Sequence, residues 1–178
     1  LGRFDEAEAS HNQTIALKPD YAEAHSNLGN TLKELGRLDE AEASYTKAIV
    51  LKPDFAEAHM NLGTTLQELS RLEEAEASCR QAIALKPDFA KAHNSLGNTL
   101  KKQGRVEEAL AAYDKAIDIK ADYADAYSNK YFCLNYLSSN TPSFIFEQHL
   151  EFEKQFGELQ SESFLSPRSD QGTEKRLR

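Results

Sequence analysis

Three kinds of side chain recur in this 178-residue sequence at intervals that could do chemistry. His25, His59 and His93 stand 34 residues apart and invite a shared metal ion. The acidic pairs Asp39-Glu40, Glu73-Glu74 and Glu107-Glu108 return at the same interval and could serve as general acid and base. Asn27, Asn61 and Asn129 occupy one place in successive copies, with Ser95 interrupting the series. Asn30 and Asn98 follow one helical turn later, on the same side. A carboxamide offers both donor and acceptor, so a column of them could hold the backbone of an extended polypeptide whatever its side chains.

The metal reading meets a geometric obstacle. Packed helices lie roughly 8–10 Å apart, whereas ligand nitrogens converge to about 2 Å from one ion. Interhelical packing is therefore the favoured role for the three histidines, and His11 and His149 are isolated. The acidic pairs open helices, where the dipole favours negative charge. No nucleophile with a base and no Gly-rich phosphate loop accompanies them, so no catalytic residue, metal or cofactor is expected. Asparagine is a mediocre helix former, and its return in mid-helix calls for an explanation. Either the amides bond a peptide in a groove, or they bond neighbouring helices and water.

The elements that carry these residues follow from apolar spacing. Ala24, His25, Leu28, Gly29 and Leu32 fall at helical intervals and predict a helix over about 22–35. Gly29 costs roughly 1 kcal/mol of helix propensity against Ala, and its missing side chain lets a neighbouring helix approach. Gly36-Arg37 turns the chain, and Leu38, Ala41, Tyr45, Ala48 and Ile49 line the inner side of a second helix. Pro53-Asp54 ends it. The copies at 56–89 and 90–123 repeat this with Ser70 for the turn Gly, Cys79 for Tyr45 and Ala121 for the Pro, and no swap changes the type of any element.

This period, with its order x-x-Leu-Gly, Ala-x-x-x-aromatic and Pro, resembles the tetratricopeptide repeat (TPR), a helix–turn–helix unit. The resemblance implies an all-α fold, a right-handed superhelix or α-solenoid. Residues 1–21 correspond to the second half of a repeat, which reads as truncation of a longer protein. Full repeats occupy 22–55, 56–89 and 90–123, and 124–137 begins a fourth as a closing helix. Lys130-Tyr131 there replaces the expected Leu-Gly. A loop and helix at 138–160 follow, with Thr141 as N-cap and Phe144, Ile145, Phe146, Leu150, Phe152 and Phe156 too apolar for an exposed helix. A polar linker, read as a disordered tail, fills 161–178.

The text His-Ser-Asn-Leu-Gly-Asn-Thr-Leu-Lys-Glu-Leu-Gly-Arg-Leu-Asp-Glu-Ala-Glu-Ala-Ser-Tyr from His25 is similar to repeats of O-linked N-acetylglucosamine transferases and their bacterial SPINDLY-like relatives. The joining segment Tyr127–Leu137 with Phe146-Glu147-Gln148-His149 resembles the stretch between repeats and catalytic domain in bacterial members, and Glu174–Arg178 resembles the approach to that domain. The resemblance implies an asparagine ladder that holds acceptor polypeptides on the concave face. Asn27, Asn61 and Asn129 match it and Ser95 does not; Asn30 and Asn98 lie beside it. It also implies a following domain that transfers N-acetylglucosamine from UDP-GlcNAc to Ser or Thr. The fragment itself carries no site for that donor, and the alternative is a non-enzymatic adaptor for a partner peptide or helix.

Composition narrows the partners. A net charge of −8 argues against nucleic acid and against an anionic membrane surface. No apolar run approaches the roughly 20 residues that span a bilayer. Cys79 and Cys133 fit buried structural thiols in a reducing cytoplasm.

Overall fold

The computed structural model describes residues 2–135, together with Ser143, Phe146, Glu147, Leu150 and Lys154, which are helical. The chain divides into two units, Leu1–Ser138 and Ser139–Arg178, and the first holds the repeats. The expected N-cap at Thr141, most of the aromatic helix and the polar linker lie outside the described residues. The described residues of the first unit form an all-α solenoid of α1 (Gly2–Leu17), α2 (Ala22–Glu34), α3 (Leu38–Leu51), α4 (Ala56–Glu68), α5 (Leu72–Leu85), α6 (Ala90–Lys102), α7 (Val106–Ile119) and α8 (Ala124–Leu134).

Turn chemistry sets the hairpins. Gly36 and Gly104 take φ of +74° and +78°, and the Arg37 and Gly36 amides donate to the Leu32 and Lys33 carbonyls at 2.9 Å. This closes the orphan carbonyls at the end of α2 in a Schellman motif. Ser70 holds the same left-handed conformation at φ 62°, and the Arg71 amide still reaches the Leu66 carbonyl. The turn therefore survives the loss of its glycine, with strain as the consequence.

Every helix packs on its sequence neighbours. Beyond that, α2 touches α4, α4 touches α6 and α6 touches α8, whereas α3, α5 and α7 make no such second-neighbour approach. Crowding on one side and splaying on the other bends the stack, so α2, α4, α6 and α8 line the inner, concave side. α1 buries no residue, and its Phe4 and Leu17 are exposed.

In the first and third pairs the contact is a glycine against a ring. A Cβ built on Gly29 would stand 2.7 Å from Tyr45 Cε1, and one on Gly97 would stand 2.5 Å from Tyr113 Cε1. Both tyrosines are fully buried. Cys79 takes this place in the middle pair, with Sγ 2.6 Å from where a Gly63 Cβ would be. Burial pushes its thiol up to about 12, so at neutral pH it is an inert core group.

Arginine forks join the units on the outside. Arg71 grips Glu74 through Nε and Nη2 at 2.7 and 2.6 Å, and its Nη1 reaches Glu42 of the preceding unit at 2.6 Å. Arg37 does the same with Glu40 and Glu8, and Arg105 with Glu108 and Glu76. One acid of each pair that begins a second helix, Glu40, Glu74 or Glu108, is thus held bidentately.

Two predictions follow from the packing. Gly97→Ala gains about 1 kcal/mol of helix propensity but overpacks a site where the ring has no room, at about 1–3 kcal/mol. A net loss is expected as a lower urea midpoint. Ser70→Gly relieves the left-handed strain and is expected to raise the midpoint, a gain of about 0.5–1 kcal/mol.

A third prediction concerns acid. Arginine hydrogen bonds hold the Glu40, Glu74 and Glu108 carboxyls below the ordinary value of 4.5. A depressed carboxyl binds fewer protons folded than unfolded, so its contribution is present above the unfolded value and is lost as pH falls through the folded one. Urea midpoints followed by circular dichroism are expected to hold from pH 7 to about 5 and to decline below roughly 4.5. Arg71→Gln should flatten that decline; an unchanged slope would remove the forks as its source.

Candidate binding groove

The recurrent histidines resolve first. His25, His59 and His93 each place Nε2 within 2.9–3.0 Å of the carbonyl oxygen of Pro19, Pro53 and Pro87, six residues upstream. The carbonyl can only accept, so Nε2 carries the proton and donates. The ring ties the start of each inner helix to the turn before it. In the fourth copy Tyr127 replaces the histidine and Ala121 replaces the proline together.

The asparagines fall into two roles. Tyr45 donates its hydroxyl to Asn30 Oδ1 at 2.8 Å, and Tyr113 donates to Asn98 Oδ1 at the same distance. In the middle unit the tyrosine has become Cys79 and the asparagine has become Thr64. Asn61 Nδ2 also donates to Asn30 Oδ1, at 3.0 Å. Asn30 thereby spends its carbonyl on two donors and keeps its N–H groups for others. Asn61 spends one N–H and keeps its carbonyl. Asn27 is exposed.

Asn27, Asn30 and Asn61 converge on one open groove of about 570 Å³, together with Ser26, Phe55, Glu57, Met60, Phe89 and Lys91. The groove runs from α2 across α4 to the start of α6. The remaining expected residues sit further along the inner helices. Ser95 is buried at 8% exposure. Its neighbour Asn94 instead accepts from Asn129 Nδ2 at 3.1 Å through Oδ1. Asn94 escaped the sequence reading because the third copy transposes Ser26-Asn27 to Asn94-Ser95. Phe55, Met60 and Phe89 were missed too, since nothing in an apolar residue's type says that it faces a groove.

Charge along the groove is patterned. Lys52 bonds Glu23 at 2.8 Å and Lys86 bonds Glu57 at 3.2 Å, each lysine also lying over Phe55 or Phe89 at 4.8 and 4.9 Å. The hydrogen bond from Lys52 lowers the Glu23 carboxyl. One period later the acid is Lys91, and Lys120 lies over Tyr123 at 5.3 Å with Asp122 at 3.9 Å. A separate cleft of about 490 Å³ opens between α5 and α7 on the outer side, floored by Ile83, Leu96 and Leu100.

Among the described residues no helix is long and apolar enough to cross a membrane. No group of three or more His, Cys, Asp or Glu is placed to hold a metal there.

The pairing of Tyr113 with Asn98 is directly testable. Tyr113→Phe and Asn98→Ala are each expected to lower stability by about 1 kcal/mol. The double variant should lose less than the sum, by a coupling of about 0.5–1.5 kcal/mol in urea unfolding. Additive losses would mean that the bond contributes nothing.

Family comparisons agree with this architecture. The TPR repeat family matches residues 1–36 and 29–70, and the tetratricopeptide repeat family matches 60–124. The crystal structure of MamA is similar over 92% of this chain and 92% of its own, at 26% identity and TM-score 0.74. A mutant Thermobaculum terrenum O-GlcNAc transferase is similar over 76% of this chain at 26% identity and TM-score 0.73, but this covers only 26% of that enzyme. The first TPR of Spaghetti (RPAP3), bound to the HSP90 peptide SRMEEVD, shares the fold at 24% identity, TM-score 0.64, over 66% of this chain and 94% of its own. Sequence comparison with curated proteins gives no match.

Proposed function

Because this chain belongs to the tetratricopeptide repeat family and is a protein-interaction scaffold, we propose that its concave groove holds an extended polypeptide by the main chain. One observation carries the reading. Asn30 and Asn61 are locked to each other, so that one presents N–H groups and the other a carbonyl oxygen. An extended backbone offers the complementary C=O and N–H groups in alternation. Preorganised amides of this kind lose little freedom on binding. Asn27 extends the row at one end, and Asn98 and Asn129 extend it at the other.

We further propose that, as part of a longer protein, the groove would present acceptor polypeptides to a glycosyltransferase domain that moves N-acetylglucosamine from UDP-GlcNAc to Ser or Thr. Its support is the repeat and joining-segment resemblance, together with the likeness to the Thermobaculum terrenum enzyme. The second reading is an adaptor without catalysis. Likeness to MamA and to the first TPR of Spaghetti (RPAP3) fits it equally. The coding sequence after Arg178 separates the two: an open frame into a large α/β domain supports the first, and a stop codon or an unrelated domain supports the second.

The groove itself is tested by changing Asn27, Asn61 and Asn129 together to alanine. Retention of an immobilised library of degenerate dodecapeptides is expected to fall about tenfold, from the loss of bonds contributing about 0.5–1.5 kcal/mol each. Circular dichroism should be unchanged. Undiminished retention would refute backbone capture by these amides.

A further inference from the structure

Two registers of the repeat change chemistry together along the groove. Met60, the sole methionine of the chain, stands where the other units carry Ser26, Asn94 and Ser128. Phe55 and Phe89 stand at a register that carries Tyr21 before them and Tyr123 after. One period beyond Met60 and Phe89 the same two registers hold Asn94 and Tyr123, which interact through a side-chain hydrogen bond. Met60 and Phe89 have no N–H or O–H to exchange in that way. The repeat is therefore built equally well with a polar pair at these positions. The apolar pair is particular to this part of the groove.

Phe55, Met60 and Phe89 are half-buried and line the same opening as Asn30 and Asn61. The two rings are held in place. Lys52 Nζ lies 4.8 Å from the Phe55 centroid while bonded to Glu23 at 2.8 Å, and Lys86 Nζ lies 4.9 Å from the Phe89 centroid while bonded to Glu57 at 3.2 Å. Oriented rings lose little freedom when a ligand is bound, and an unbranched thioether between repeats adapts to the shape of what it meets. Glu57 and Lys91 also line the opening, one charge of each sign. A charged side chain entering there would meet one like charge and would lose water against the rings.

From this we infer that the groove selects polypeptides by a single uncharged apolar side chain seated among Phe55, Met60 and Phe89; this rests on the extended-polypeptide reading of the groove. Successive side chains of an extended chain point to opposite faces. A polypeptide whose main chain lies on Asn30 and Asn61 thus turns one residue toward the three apolar side chains and turns its two neighbours away. The amides hold any sequence, and Met60 with the two rings supplies the preference among sequences.

The experiment uses the full chain and immobilised dodecapeptide pools drawn from Gly, Ser, Thr and Asn, with one central position fixed as Leu or as Asn. These two side chains are close in size and differ in polarity. Wild type should retain the Leu pool about tenfold more than the Asn pool, the effect of burying much of one leucine side chain. Met60→Ser copies the residue already used at Ser26 and Ser128. It should reduce the ratio below about threefold while leaving Asn-pool retention and circular dichroism intact. Met60→Leu should restore the ratio. Asn61→Ala, by contrast, should lower both pools alike and leave their ratio unchanged. Equal retention of the Leu and Asn pools by wild type, or a ratio that survives Met60→Ser, overturns the inference and leaves backbone capture standing. Retention of no pool by wild type overturns both.

Discussion

Each helix pair depends on a backbone laid directly against a side chain. The inner helix has no Cβ at Gly29 or Gly97, and the ring of Tyr45 or Tyr113 occupies the space that a Cβ would need. That contact fixes how near the two helices lie and how the ring is turned. The ring's orientation then aims its hydroxyl at Asn30 or Asn98. A packing constraint in the core is in this way transmitted to a polar group on the groove. The middle unit tests the logic internally: without the ring there is no hydroxyl, and Thr64 takes the asparagine's place.

Stacking uses a different physics. The units are related by the crowding of inner helices, while on the outside arginine forks bridge one unit to the last. Exposed ion pairs are individually weak, but a guanidinium gripping one carboxylate bidentately and a second across the junction is geometrically specific. The forks direct the register between units more than they supply stability. Such an array has no central core, and its energy is a sum of local and nearest-neighbour terms. A change such as Glu57 to Lys91 between successive units therefore alters the groove without endangering the stack.

Much of this was legible in the residues alone. The helix positions followed from apolar spacing, the hairpin turn from Gly36-Arg37, and the close helix approach from a glycine placed mid-helix. The histidines were expected to pack between helices, and each ring hydrogen-bonds a proline carbonyl in the turn before its own helix, a bond that residue type alone does not display. Other features were hidden. Arg37, Arg71 and Arg105 recur as faithfully as the histidines, yet their second partners lie 29 residues upstream, a separation no single-helix pattern displays. The bonding state of the asparagines was open, because a carboxamide on a helix surface looks the same whether it faces a peptide or a tyrosine.

What the sequence determined by itself was the unit: a helix–turn–helix of 34 residues, repeated, with its glycine, aromatic and proline in order. Local backbone preferences and the helical period suffice for that, since both act over a few residues. What only the tertiary structure decided was the division of labour among like residues. Asn30 and Asn61 became a locked donor and acceptor, Ser95 went inside, Asn94 took over the link to Asn129, and Lys101 met a ring where Lys33 met an acid. Those outcomes depend on which helix lies next in the stack and at what distance. Equivalent positions in the repeat have different neighbours, and neighbours rather than residue type determine where a hydrogen bond or a charge is spent.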